Sequence, residues 1–207
     1  MNPNWAEENL QTIRTLMERS ALYRRALAPI MLVAGVLGLL AAAAGLFFHV
    51  ESPRSFVGLW FGTAGGVVIT SLLLARRQAL QEQEPFWTPP ARRVTQALLP
   101  PLLCGMFLGV MLVWADTNWS INFPLTLVWL LFYGCALHSA GFFMTRGIRW
   151  FGCVFIGGAV ILALSLFLAN ASLQPASANL IMGFFFGVLQ LIYGAYLYAT
   201  EKKTPAA

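Results

Sequence analysis

Charged residues are scarce in this sequence: they make up 10% of the 207 positions, whereas hydrophobic residues make up 58%. Soluble domains carry roughly 25% charged and about 45–50% apolar residues, so the composition excludes a chain whose main solvent is water. The thirteen Lys and Arg outnumber the eight Asp and Glu, but they stand in short runs beside apolar segments, which does not favour nucleic acid as a partner. The sequence predicts a membrane protein whose first partner is the lipid bilayer.

Cysteine and histidine are also rare, with three and two residues. Cys104, Cys135 and Cys153 all fall inside apolar segments, where an odd number of cysteines argues against a disulfide framework and favours small packing residues. Cys135 and His138 have the i, i+3 spacing that would let them share a metal ion, but such a site needs further ligands. His49 is expected at the opposite membrane face from His138, which excludes a haem held by both. We therefore predict no metal and no cofactor.

Asp, Glu, Lys and Arg are missing from the middle of every apolar segment. Ion-coupled transporters and proton pumps usually keep such a group in the pathway, so the sequence disfavours a pump. We also find no nucleophile–base pair, phosphate-binding loop or acidic metal cluster in the sequence. We expect no enzyme and no catalytic residue.

The chain contains six apolar segments long enough for a bilayer, whose hydrocarbon core needs about 20 helical residues. Their continuous apolarity does not suit the alternating strands of a barrel. The predicted fold is all-α, a polytopic bundle of six transmembrane helices at about 26–48, 56–75, 97–115, 124–143, 150–169 and 179–199. Residues 1–25 are predicted as a cytoplasmic amphipathic helix and 200–207 as a cytoplasmic tail.

The basic residues alternate between connections. Twelve of the thirteen Lys and Arg lie in residues 1–25, in the connection after the second segment, in the connection after the fourth, and in the tail. The other connections contain only Arg54. The positive-inside bias therefore places both termini in the cytoplasm.

Two of these basic segments carry aromatic and apolar residues in a pattern. Residues 1–25 place apolar side chains at helical spacing, and Thr88 followed by Pro89 predicts a helix start. We interpret both segments as anchors on the inner leaflet, with a docking face for a cytoplasmic protein partner as the alternative. The candidate lipid or partner surface comprises Trp5, Leu10, Ile13, Met17, Phe86, Trp87, Arg92 and Arg93.

A few polar residues lie inside the apolar segments. At about 1.5 Å per residue, His138, Thr70 and Tyr193 each lie about 21 Å from the outer end of their segment, and Gln190 is close to Tyr193. Gly134, Cys135, His138 and Gly141 form one stripe, and such small residues mark close helix contacts. We expect His138 to point into the bundle, either in an interhelical hydrogen bond or in a binding site. The candidate ligand-binding residues are His138, Gln190, Tyr193 and Thr70.

Glycines recur at four-residue spacing in three segments: Gly58, Gly62 and Gly66 in the second, Gly105 and Gly109 in the third, and Gly183 and Gly187 in the sixth. Such faces let helix backbones approach closely. We expect all three faces to pack within the bundle itself.

The stretches IRTLMERSALYRRALAP, EPFWTPPARR and YGCALHSAGFF resemble a family of small, uncharacterised bacterial multi-pass membrane proteins. The resemblance covers most of the chain. It implies a bacterial inner membrane, but no activity and no catalytic residue.

Two functions fit this sequence. The first is a non-catalytic membrane component that binds a partner or senses the state of the membrane. The second is a small permease or carrier for a weakly polar molecule, lined by the four candidate ligand-binding residues. A carrier should have a cavity that reaches His138 or Gln190, whereas a packing role predicts close helix contacts there.

Overall fold

The computed structural model describes residues 27–81, 83, 87–114, 122–169 and 175–201. These residues form six helices and no β-strand, which confirms the predicted all-α class. The first five helices are α1 (Leu27–Phe47), α2 (Pro53–Gln81), α3 (Pro89–Trp114), α4 (Asn122–Ala140) and α5 (Arg146–Ala169). The sixth helix is continuous but has three parts: α6 (Pro175–Gly183), a π-helical segment (Phe184–Leu189) and α7 (Gln190–Glu201).

Five of the six helices, all except α4, are long and apolar enough to cross a membrane. The apolar part of α4 is Pro124–Ala140, and its length of about 26 Å is near the lower limit for a spanning helix. The predicted span 124–143 extends too far at its C-terminal end. Residues 141–143 form a turn, with hydrogen bonds such as Phe142 N–H to Ser139 O (3.3 Å). The chain is a polytopic helical membrane protein.

Successive helices run antiparallel. Gly105 and Gly109 of α3 lie against Phe132 and Trp129 of α4, so the residue numbers of the two helices run in opposite directions. Gly134 of α4 packs against α5 in the same way. Because the helices alternate in direction, one end of the bundle collects Arg76, Arg77, Arg92, Arg93, Arg146 and Arg149, and we call it the arginine end.

α1 and the sixth helix pack at backbone contact. A Cβ atom built onto Gly35 would lie 2.8 Å from the Leu191 N, and one built onto Gly38 would overlap the Phe186 carbonyl. The contact is reciprocal, because Gly183, Gly187 and Gly194 of the sixth helix face Ala42, Leu39 and Leu32 of α1. Only small residues allow two helix axes to come this close.

The core lies between α1, α4, α5 and the sixth helix. Its centre is Phe155, which is fully buried and contacts Tyr133 in a tilted arrangement and Phe151 edge-on, at centroid distances of 5.0 and 5.2 Å. Phe185 and Phe186 of the π segment close the cluster from the other side. A second cluster lies at the end opposite the arginine end, where Phe56 stacks on Trp129 and makes a tilted contact with Trp60.

Candidate functional site

Gln190 is the most buried polar group in the middle of the bundle, with 2% of its surface exposed. It is the first residue after the π segment, a widened turn that occurs often at functional positions. Its side-chain Nε2 donates a hydrogen bond to the Tyr133 hydroxyl of α4 at 2.6 Å. Its Oε1 is buried and has no hydrogen-bond partner among the described residues. This amide can therefore accept one further hydrogen bond.

Tyr193 lies one turn after Gln190 and faces α5. Its ring stacks on Phe151 with a centroid distance of 4.4 Å and an interplanar angle of 10°. Its hydroxyl lies beside Gly147, where an added Cβ would be 2.8 Å away. Thr145, two residues before Gly147, has a buried hydroxyl oxygen that lacks a partner within the described part of the chain. The Tyr193 and Thr145 hydroxyls therefore both lie near the contact between α7 and the start of α5, on the side of the arginine end.

His138 occupies a different contact, between α4 and α5. Its Nδ1 lies 3.3 Å from the Cys153 Sγ. The backbones meet here because Gly152 is opposite His138, where an added Cβ would be 2.6 Å from the His138 N. The predicted glycine stripe does face α5, since Gly134 and Gly141 both contact it. The partner of the imidazole is a thiol on the facing helix α5.

The His138–Cys153 contact lies in an aromatic and cationic setting. The His138 ring meets Phe142 edge-on at 5.4 Å, and the Arg149 guanidinium lies 5.2 Å above the same phenyl ring. His138 belongs to the last turn of α4. We call these four residues, His138, Cys153, Phe142 and Arg149, the thiol cluster.

Thr70 lies apart from the other candidates, on α2. Its hydroxyl donates to carbonyls of its own helix, Gly66 O at 2.8 Å and Val67 O at 3.1 Å. The structure thus brings Gln190 and Tyr193 to one surface of α7, gives His138 its own partner on α5, and leaves Thr70 on a third helix.

Sequence reasoning missed two partners, Tyr133 and Cys153. Tyr133 precedes His138 by five residues, and a phenol inside an apolar span is itself a signal because its hydroxyl needs a hydrogen-bond partner when buried. Cys153 was predicted only as a small packing residue. Helical spacing within α4 pointed to Cys135 instead, because spacing along one helix carries no information about the facing helix.

Part of the predicted lipid or partner surface can be placed. Trp87 is 57% exposed, and Arg92 and Arg93 are exposed on the first turn of α3. The Thr88 carbonyl accepts from Arg92 N–H at 3.0 Å, which confirms the predicted helix start. Trp5, Leu10, Ile13, Met17 and Phe86 lie outside the described residues.

A small cavity lies at the end opposite the arginine end, where α1 meets α6. It measures ≈ 20 Å³, room for about one water molecule. Asn179 lines it; the Asn179 side chain accepts from Trp60 Nε1 at 3.1 Å and donates to the Val50 carbonyl at 3.3 Å. This cavity suits a structural water and not a carrier substrate.

α2 is the least covered helix. Only 6% of its most apolar stretch is buried, against 39% for α1. A Cβ atom added at Gly58, Gly62 or Gly66 would meet no atom of the described residues within 4 Å. We call these three residues the α2 glycine face. The expectation that it packs within the bundle is not met by the described helices, and the last fully buried residue of α2 is Trp60.

No protein-family model, curated protein or solved structure matches the chain. Among the residues that the structure describes, no group of three or more His, Cys, Asp or Glu residues is placed to hold a metal ion. Functional inference therefore depends on the geometry of the chain itself.

Proposed function

We propose that the protein is a non-catalytic component of the bacterial inner membrane, which binds another membrane protein through the α2 glycine face. The observation that carries this proposal is the open surface of Gly58, Gly62 and Gly66 on a helix that is otherwise almost uncovered. A glycine inside a helix costs about 1 kcal/mol relative to alanine. Close packing of another helix against this face would explain why it carries three such residues.

Other glycines in the same chain show how such a surface packs. Gly38 of α1 and Gly183 and Gly187 of the sixth helix each lie against a neighbouring helix. In membranes, helices associate chiefly through close packing, since lipid offers no hydrophobic drive between them. A partner helix with small residues fits the α2 glycine face by the same geometry.

The arginine end supports an inward orientation with both termini in the cytoplasm. Arg76, Arg77, Arg92 and Arg93 flank the end of α2 and the start of α3, where anionic headgroups of the inner leaflet attract basic side chains. The exposed Trp87 lies between them, at a position suited to the membrane interface. Contact with lipid headgroups there would fix the orientation of α2 across the membrane, so that a partner helix could pack against it.

Native mass spectrometry of the gently extracted protein tests this function. Wild-type protein should retain a second polypeptide beyond its own 22.7 kDa, and Gly62→Ile should lose it. The matched control is Ala64→Ile, which adds a similar side chain to another exposed side of α2. An absence of any retained polypeptide, or its loss from both variants alike, would contradict the proposal.

A second candidate function is a carrier for a weakly polar molecule. The observation that favours it is the buried Gln190 Oε1, which has an unused acceptor position beside the Tyr133 hydroxyl. Against it, the Nε2–hydroxyl contact is short and the surrounding helices meet closely. A small molecule retained by wild-type protein and lost in Gln190→Leu would favour the carrier over the partner-binding function.

A further inference from the structure

We propose that Cys153 is a reactive thiol, with His138 as its proton acceptor, and that apolar unsaturated carbonyl compounds dissolved in the bilayer modify it covalently. The proposal concerns the thiol cluster alone and is independent of the α2 glycine face. It describes a stoichiometric modification and not turnover.

The geometry of the two side chains carries the proposal. The Cys153 Sγ lies 3.3 Å from His138 Nδ1, within the 4.0 Å reach of a hydrogen bond to sulfur. A thiol and an imidazole at hydrogen-bond distance form the arrangement in which histidine activates a cysteine nucleophile. The contact suits a thiol that donates to Nδ1 while the Nε2 atom carries the ring proton.

Two features of the fold lie beside this contact. His138 is in the last turn of α4, where the carbonyl end of the helix stabilises a positive charge. The Arg149 guanidinium lies above the Phe142 ring, which His138 meets edge-on, so the thiol cluster also contains a cation.

The surface around the thiol is apolar. Cys153 is half-buried, and its neighbours Trp150 and Val154, together with Phe142, expose large apolar surfaces. An apolar reagent concentrated in the bilayer reaches this surface, whereas a charged reagent has to leave water to do so. The surroundings thus select the class of electrophile.

The reaction is an addition in which atoms and electrons balance. The thiolate attacks the β-carbon of the unsaturated carbonyl, and a carbon–sulfur bond forms as the carbon–carbon π bond breaks. The α-carbon then takes the proton that His138 received from the thiol. The net change is addition of S–H across the double bond, with no oxidant and no leaving group.

The other two cysteines provide internal controls. Cys104 is exposed on α3 and Cys135 is half-buried on α4. Neither makes a hydrogen bond to a histidine among the described residues, whereas Cys153 does. If exposure alone decided the rate of modification, Cys104 would react first.

The test measures alkylation by N-ethylmaleimide, an uncharged unsaturated dicarbonyl compound, in the full chain reconstituted in lipid nanodiscs. Three variants each keep one cysteine, with the other two changed to serine, and the rate is followed by intact mass. A free thiol is only a few per cent ionised near neutral pH, so full activation accelerates the reaction by up to about 30-fold. We expect Cys153 to react about tenfold faster than Cys104, and His138→Gln to remove most of that difference.

A Cys153 rate equal to or below that of Cys104 in the folded protein would overturn the proposal, as would a fast rate that survives His138→Gln. Thermal unfolding of each variant shows whether it is folded. If His138→Gln does not fold, His138→Asn replaces it, and the same loss of rate is expected because that variant also lacks the imidazole beside the Cys153 Sγ. An unchanged rate in that variant would equally reject His138 as the proton acceptor.

Discussion

α1 and α2 are neighbours in the chain and both carry glycines, yet the structure treats them in opposite ways. On α1, Gly35 and Gly38 lie against the backbone of the sixth helix; on α2, the glycine face meets no atom of the described part of the chain within 4 Å. The buried share of the most apolar stretch falls from 39% in α1 to 6% in α2. A glycine pattern thus predicts that a helix is suited to close contact, but it does not say with which surface.

The difference begins at one polar anchor. Asn179, at the start of the sixth helix, binds the Val50 carbonyl just after α1 and the Trp60 indole of α2. From this point α1 and the sixth helix stay in register, with Gly45 against Asn179 and Gly35 against Leu191. The fully buried residues of α2 lie near its start: Phe56, Val57 and Trp60.

The largest expected effect is that of Gly38→Leu. A side chain at this position would overlap the Phe186 carbonyl, a backbone group that cannot rotate away. Overpacking against a fixed neighbour typically costs about 1–3 kcal/mol, and we expect the upper end or more. Unfolding in mixed micelles by increasing SDS fraction measures it.

The matched control for that variant is Gly58→Leu on α2, where an added side chain meets open space. It should leave stability unchanged or raise it by up to about 1 kcal/mol, through better helix propensity. Similar losses in both variants would show that the two glycine patterns do not differ as the structure indicates.

A smaller effect is expected from Asn179→Leu. This change leaves the Trp60 indole N–H and the Val50 carbonyl without their present partner, at about 1–3 kcal/mol for a buried group left unsatisfied. Faster hydrogen exchange in the first turns of α2 should accompany the loss, while the core around Phe155 stays protected. Trp60→Phe, which removes only the donor from this pair, should have the weaker effect. Uniformly faster exchange throughout the bundle would rule out a local anchor.

Much of the fold could be predicted from the sequence, because helix length, apolarity and the position of arginines are local properties. The helix start at Thr88 and Pro89 is correct for this reason, as is the inward-facing stripe of Gly134 and Gly141. The end of α4 was predicted too late, since Phe142 and Phe143 are as apolar as a span but belong to a turn.

The site could be predicted only in part, because partners across helices depend on register. Gln190 and Tyr193 were recognised as polar residues in an apolar span, but Tyr133, to which Gln190 donates, was not. The same limit hid the Cys153 partner of His138. The π segment before Gln190 also has no signature in FFFGVL that distinguishes it from an ordinary helical turn.

Tyr133→Phe, on the packed helix α4, should have a still smaller effect on stability. It removes the hydroxyl that accepts from Gln190 and leaves that buried amide with a second unused atom. Hydrogen bonds between membrane helices average about 0.6 kcal/mol, and we expect a loss of this order in SDS unfolding. The double variant with Gln190→Leu should be no less stable than Tyr133→Phe alone. An additive loss would mean that the two side chains are not energetically coupled.

Thr70→Val should have the smallest effect of all. It compares one hydroxyl on the sparsely covered helix α2 with the Tyr133 hydroxyl on the packed helix α4. Within the described part of the chain, Thr70 donates to Gly66 O and Val67 O of its own helix, so the variant leaves no group of another described helix without its partner. Changes at such surface positions usually stay within about 0.5 kcal/mol. SDS unfolding of Thr70→Val beside Tyr133→Phe measures both hydroxyls by one method. A loss at Thr70 as large as that at Tyr133 would mean that α2 has an interhelical contact at this depth, and that the α2 glycine face is covered in the folded protein.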